Sequence, residues 1–576
     1  MRHDARTWIA VSLLAASLTS GCAREPATPA DVLFVNGRIY TLAGEPPADP
    51  GAEPAVEALA VRSGRIVASG TTAEVQRHAG PATRLQDLHG ATAVPGLVDA
   101  HLHLAGLGRW LREVDLVGTT SYDEVVARVR DRAARSAAGD WIGGRGWDQN
   151  DWPATGFPDH AALSQAVPQH PVYLRRVDGH AALVNARALE IAGVGARTAD
   201  PPGGRIERRP DGTPSGVLVD AAMDLVARHI PPPSPEERRL RLELALRHCA
   251  EAGLTGVHDA GMAAADLEIC RALLVAGALP LRVYVMVDAA PDGADSAATR
   301  AVLEAGPQAF DPTLHLAARC VKLVADGALG SRGAALLEPY TDDPGHRGLP
   351  QYTPEAFLVR ARSLHERGFQ LATHCIGDAA NRMVLDAYAQ LAQELPRPEA
   401  RFRIEHAQVL APADIPRFAA LGVLPSMQPT HCTSDMPWAG ARLGSVRLRG
   451  AYAWRALRDT GVVIAAGSDA PVEAVAPRLG LYAAVTRQDA AGQPPEAWAP
   501  EQRLTRSEAL RAFTAWAARA SFTEDDLGTL EPGKLADLTV FDADPLRVPA
   551  PQLLRLRVLG TYVGGEAIHA VGQAAR

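Results

Sequence analysis

"PGLVDAHLHL", residues 95–104, ends an apolar run with two histidines one residue apart. In a strand the side chains at i and i+2 share a face, so His101 and His103 project together where the run ends. That is chelating geometry, although a lone His-x-His pair is equally compatible with a polar strand end. The same signal recurs downstream. "FQLATHCIGDAA" (369–380) ends its apolar run at His374, "RFRIEHAQVL" (401–410) holds His406, and "VVIAAGSDAPVE" (462–473) delivers Asp469. Ligand-type side chains at the carboxyl ends of successive strands predict an α/β fold with a (β/α)8 TIM barrel, in which strand ends and following loops converge on one face. Three or more imidazoles with a carboxylate suit Zn2+ or a similar first-row divalent ion.

Spacing supports the barrel. His374 and His406 lie 32 residues apart, one βα unit, and His406 and Asp469 lie 63 apart, two units. The 219 residues from His103 to Lys322 exceed three units, which predicts an insertion after the first barrel strand, at about 105–235. Lys322, in "CVKLVADGALGSR" (320–332), shares a strand face with Asp326. A bare ammonium facing bound cations is repelled and poorly solvated, so it must be neutralised, paired or modified; an amine that reaches solvent or pairs with Asp326 is the alternative.

Around this unit, "DVLFVNGRIYTL" (31–42) and "EALAVRSGRIVASG" (57–70) read as short strands with tight turns at Asn36-Gly37 and Ser63-Gly64. "GKLADLTVFDAD" (533–544) and "VLGTYVGGEAI" (558–568) read the same way, so residues 31–94 and 524–576 are expected to build one small β-domain around a barrel over 95–523. Capping boxes open helices at Ser121–Glu124 and Thr505–Glu508, and "PEERRLRLELALRHCAEAG" (235–253) stops at Gly253 before the apolar "LTGVHDAG" (254–261).

Composition sets the outer limits. A chain of 576 residues has room for two to four domain-sized units, and 58 basic against 66 acidic residues, mixed throughout, supply no basic stripe for nucleic acid. Arg2, Arg6 and the apolar "TWIAVSLLAASL" (7–18) form an export signal too short to span a bilayer. It ends in "LTSGC" (18–22), which resembles a lipoprotein lipobox, so residues 1–22 are expected to be removed up to a lipidated Cys22, with 23–30 as a tether in the cell envelope; a simple secretory signal is the alternative. In a diderm source the anchor would hold the protein on the periplasmic side or at the outer membrane. The other five cysteines, odd in number and without CxxC spacing, indicate no disulfide framework.

Taken in order, "NGRIYTL", "PGLVDAHLHL", "GWDQNDW", "YLRRVDGHAALVN", "VKLVADGALGSRGAAL", "THCIGDAAN", "RIEHAQ", "GSDAPVE" and "GTLEPGKLADLTVFDADP" make the chain resemble the amidohydrolase superfamily, in the branch that includes N-substituted formamide deformylases. The resemblance implies the barrel, with a small β-sandwich formed by both chain ends. It implies that His101 and His103 bind one ion and that His374 and His406 bind a second. Lys322 then matches a carboxylated lysine bridging both ions, and Asp469 a metal ligand that also shuttles the proton. The implied reaction is hydrolysis of a non-peptide C–N bond, amide or formamide-type, in a small molecule by metal-activated hydroxide. A mononuclear deaminase or cyclic amidase of the same superfamily would dispense with Lys322, and a non-catalytic lipid-anchored binding protein would keep only the fold. Candidate substrate contacts are His180, Asp326, Gln428 and His431; Trp147 and Trp152 could wall a pocket or simply pack, and His258 is assigned to structure. Assembly into a homo-oligomer is compatible with all of these readings.

Overall fold

At Gly253, with φ +94°, the helix Pro235–Glu251 gives way to the strand Leu254–Met262, as the sequence predicts. The computed structural model describes residues 28–571 except 48, 50, 51, 150, 151, 154, 155, 177–180, 202 and 203. Eight strands pair in parallel in chain order: β1 (Leu97–Leu102), β2 (Leu254–Met262), β3 (Arg282–Asp288), β4 (Leu316–Val324), β5 (Gln370–Cys375), β6 (Arg403–His406), β7 (Leu424–Met427) and β8 (Ala465–Ala466). Helices join most of them, so the strands are covered on their outer face and read as nearly continuous apolar runs. β8 is only two residues long and forms no ladder with β1, which leaves the barrel nearly closed. Beyond its end, the Asp469 N–H donates to the His101 carbonyl at 2.7 Å and the His103 N–H to the Ala470 carbonyl at 2.8 Å, so the seam is stitched at the rim. The approach needs glycine at 467, where a Cβ would lie 2.5 Å from both Asp99 Oδ1 and the His101 nitrogen.

Between β1 and β2 lies a second sheet of six strands within Val114–Asp220. Trp147 and Trp152 are buried in its apolar cluster, their indole N–H groups bonded to the Leu174 and Thr119 carbonyls. They pack this sheet.

The chain ends supply two more sheets. One holds Arg65–Gly70, Ala58–Arg62, Val32–Val35 and Arg84–Asp87; the other sets Glu566–Ala570, Val558–Val563 and Leu538–Phe541 beside Thr92–Pro95, Arg38–Tyr40 and Ala55–Val56. Phe34, Val61 and Ile66 of the first sheet share one apolar cluster with Ala93, Val540 and Tyr562 of the second. Ser63-Gly64 is a hairpin turn, with Arg62 opposite Arg65. Asn36-Gly37 is not, because Val32–Val35 and Arg38–Tyr40 belong to different sheets and the pair carries the chain from one to the other. Of the expected tether, 23–27 lie outside the described residues, and Ala30 at its end is buried with its N–H bonded to the His78 carbonyl.

Two helix starts also differ in detail. Thr505 and Glu508 form the reciprocal box, whereas Glu124 reaches back to the Thr120 N–H and leaves Ser121 as a one-sided cap. The helix that opens at Thr505 runs only over Arg506–Ala512, and after a break at Thr514 a second helix covers Ala515–Ala520.

The first of these helices anchors the N-terminal segment. Arg511 donates to both Glu53 oxygens at 2.8 and 2.9 Å, and the Ser507 hydroxyl adds a third bond at 2.6 Å, all buried. Arg511→Met leaves a carboxylate buried without its partner, so the unfolding free energy falls by about 3–5 kcal/mol in a urea titration, and adding Glu53→Gln recovers part of that loss.

Candidate metal centre

β1 delivers His101 fully buried, while the His103 side chain, one pleat further on, stays 38% exposed at the rim. His101 Nδ1 lies 2.5 Å from Glu405 Oε2. A carboxylate only accepts, so Nδ1 carries the proton and the Nε2 lone pair is left bare, 3.5 Å from Asp469 Oδ1. His103 Nε2 reaches the same oxygen at 3.1 Å, and His431 Nε2 approaches the other one, Oδ2, at 3.7 Å. Two sets of three donor atoms result, His101/His103/Asp469 and His406/His431/Asp469, each within 4.8 Å. Asp469 belongs to both.

Each side chain is placed by a local device. Asp469 sits in the left-handed region at φ +58°, on a loop fixed by Asp99, which accepts from the Ser468 N–H at 3.0 Å and the His101 N–H at 3.1 Å. In a regular strand Glu405 and His406 would face opposite ways. Positive φ at His406 (+73°) and Ala407 (+43°) turns the chain so that both reach the same space. The His406 Nδ1–H donates to Gln428 Oε1 at 2.6 Å, and the Gln428 amide N–H donates to the Ser426 carbonyl at 3.3 Å, which leaves His406 Nε2 bare as well.

His374, at the end of β5, packs edge-on against His406 with ring centroids 4.5 Å apart. Its Nε2 is 3.7 Å from Asp326 Oδ1, outside both three-donor sets. Lys322 on β4 is buried, and among the described residues its Nζ makes only a long 3.5 Å contact to the Ala260 carbonyl.

Burial dominates the electrostatics. It drives His101 down to about 4 and His374 to about 3, with the Lys322 charge acting in the same direction, so both rings are neutral, as metal ligands must be. Burial also lowers the Lys322 amine, against the opposing pull of Glu405 and Asp469. For Asp469 burial alone would raise the carboxyl, but the His103 hydrogen bond and the neighbouring imidazoles outweigh it and hold the group well below the usual carboxylate range.

Two of the expected substrate contacts are engaged in hydrogen bonds within the protein beside the centre. Asp326 is 1% exposed and accepts from the backbone N–H groups of Ala335, Ile376 and Gly377 at 2.8–2.9 Å, so it braces the β4 and β5 loops. Gln428 is spent on His406. His180 and Cys22 lie outside the described residues. Glu405 and Asp99 carry as much of the geometry as the ligands do, and both sit inside stretches already singled out. The available signal was a charged pair, Arg403 and Glu405, at i and i+2 of an otherwise apolar strand.

The donor set fits a first-row divalent cation. His101 Nε2, His374 Nε2 and His431 Nε2 are buried with no hydrogen-bond partner among the described residues. Each such orphan costs about 1–3 kcal/mol, and a cation among them would give each lone pair an acceptor.

Comparison with known proteins points the same way. A model of the amidohydrolase family matches residues 84–569. Protein LONG AFTER FAR-RED 3 of Arabidopsis thaliana is 35% identical over 564 residues, 94% of this chain and 92% of that protein. N-substituted formamide deformylase of Arthrobacter pascens is 28% identical over 550 residues, 93% of this chain and 97% of that one. The crystal structure of an uncharacterized metal-dependent hydrolase from Pyrococcus furiosus superposes with a TM-score of 0.72 at 27% identity, covering 90% of this chain and 100% of the other. A barrel with imidazoles and one shared aspartate at its carboxyl rim, matched over nearly its whole length by one family of hydrolases, leaves a single assignment: the chain belongs to the amidohydrolase family.

Proposed function

We propose that this protein hydrolyses a non-peptide C–N bond, amide or formamide-type, in a small molecule, at a centre that takes two divalent ions, zinc being the ion the donors suit best. The observation that carries the reading is the shared carboxylate: Asp469 turns one oxygen to His101 and His103 and the other to His431, beside His406. Likeness to the formamide deformylase supports the bond type.

When bound, the ions supply Lewis acidity that lowers the pKa of water and polarises a carbonyl. His101, His103, His374, His406 and Asp469 would hold them. Lys322 would join them once its buried amine, unprotonated, had attacked carbon dioxide at carbon and lost a proton, because the resulting carbamate replaces a repelled cation by an anionic oxygen ligand. Asp469, held ionised, takes the proton of the attacking water and returns it to the leaving nitrogen. His103, half open at the rim, would stay within reach of substrate, and His431, besides completing the second donor set, would contact it. Beside this chemistry, the two chain-end sheets form one β-sandwich, residues 105–235 are an insertion in the barrel, and the exported chain is anchored in the envelope through lipid on Cys22.

The test is a hydrolysis screen of N-formyl amines, N-acyl amines, amino-acid amides and cyclic amides with zinc-loaded protein. Turnover of at least one class with amine release is expected; release of ammonia from an aminated ring alone would replace this reading by the deaminase. Labelling with radioactive palmitate, lost in Cys22→Ala, checks the anchor.

A further inference from the structure

Beneath the metal centre the barrel holds a chain of polar groups that the proposed hydrolysis does not use. Arg403 on β6 is fully buried. It donates through Nε to Glu405 Oε1 at 2.7 Å and through Nη2 to Glu405 Oε2 at 3.2 Å, to the Ala100 carbonyl at 2.8 Å and to Ser426 Oγ at 3.0 Å. Its remaining nitrogen, Nη1, lies 3.0 Å from His258 Nδ1. Guanidinium has no acceptor, so His258 Nδ1 accepts and that ring carries its proton on Nε2. One hydrogen-bonded line therefore runs His258, Arg403, Glu405, His101, from β2 through β6 to β1.

The two ends of the line differ. At the upper end it meets His101 Nδ1, on the far side of the ring from the bare Nε2. At the lower end His258 lines a cavity of about 50 Å³ together with Thr255, Arg282, Tyr284 and Ala317, at the amino-terminal ends of the strands. The only hydrogen bond His258 makes among the described residues is the one at Nδ1, so its Nε2 is left to the cavity, as His101 Nε2 is left to the metal centre at the other end.

A buried ion pair is a costly way to fill a core, because apolar side chains of similar volume are commonly as stabilising or more so. What Arg403 and Glu405 add is direction. Gln428 can hold the tautomer of His406 only while its own amide keeps its orientation. A carboxylate has no donor, so Glu405 admits a single tautomer of His101 whichever way it turns, and the guanidinium keeps the carboxylate charged.

We infer that His258, Arg403 and Glu405 are positioning residues for His101, fixing its Nδ1–H tautomer and ring angle so that Nε2 faces the cation. The inference rests on the metal-binding reading, but its first readout needs no metal. In metal-free protein with 15N-labelled histidine, long-range 1H–15N spectra report the His101 tautomer, its signals assigned by their loss in His101→Asn. Zinc affinity is then measured by competition with a chromophoric chelator.

Wild type is expected to show pure Nδ1–H at His101. Glu405→Gln is expected to show a mixture of tautomers and about 10–100-fold weaker zinc binding. His258→Ala is a second variant that leaves the Arg403–Glu405 pair in place. It is expected to weaken zinc binding less and to recover with added imidazole, which enters through the enlarged cavity. Unchanged tautomer and zinc affinity in Glu405→Gln, with only a lower thermal midpoint, overturns the inference and leaves the line a structural strut. Weakened zinc binding in His258→Ala that imidazole does not restore removes His258 from the line. Wild-type protein that binds no zinc while His101 still shows pure Nδ1–H would overturn the metal reading and leave the positioning result standing.

Discussion

Asp469→Asn folds normally and loses a factor of about 10^2–10^4 in kcat, the range that a single proton-transfer group supplies. Folding is preserved because position 469 needs a residue that tolerates φ +58° and a backbone N–H for the His101 carbonyl, and asparagine offers both. Catalysis is lost because a carboxamide cannot accept a proton near neutrality. Asparagine also cannot supply anionic oxygens to both donor sets at once, so metal content falls together with kcat. Circular dichroism superimposable on wild type and matching thermal melts of the two proteins in metal-free form, next to the rate loss, separate chemistry from misfolding. Wild-type turnover by this variant would remove Asp469 from the mechanism.

Stripping the protein with a chelator abolishes turnover, and zinc restores it. Three buried imidazole nitrogens lack a partner among the described residues, so the folded state is expected to bind the ion far better than the unfolded chain does. At a free metal concentration of 100 Kd that linkage adds about 2.7 kcal/mol to the unfolding free energy. A thermal midpoint that rises with zinc concentration is the expected signature. Metal analysis of wild type is expected to give two ions per chain, and Lys322→Met one, because the methionine cannot form the bridging carbamate. Full activity after exhaustive chelation would defeat the metal-dependent reading, whereas a single ion in wild type would defeat only the binuclear form.

Periodicity and punctuation carried much of the architecture. His101, His374, His406 and Asp469 each end an apolar run, and a parallel sheet buried on both faces makes such runs conspicuous. Their spacing matches the observed strand order, and a further sheet lies between β1 and β2, within the long gap from His103 to Lys322. Local patterns were less informative where partners are distant. Asn36-Gly37 has the composition of a hairpin turn, yet its flanking strands pair with Ala58–Arg62 and with Thr92–Pro95, in different sheets. Turn propensity reports only a bend, and which strands meet across it is set by non-local pairing.

The sequence by itself determined the parallel strands of the barrel, the types of candidate donor side chain and the rim on which they gather, because strand period and βα spacing are properties of the chain read along its length. Only the tertiary structure decided which atom of each side chain faces which partner. His431 joins His406 and Asp469, Asp326 turns to three backbone amides, and Glu405 reaches His101 across 304 positions. Such pairings are fixed by the need to satisfy every polar group that the closed barrel takes from water, and that need exists only once distant segments have been brought together.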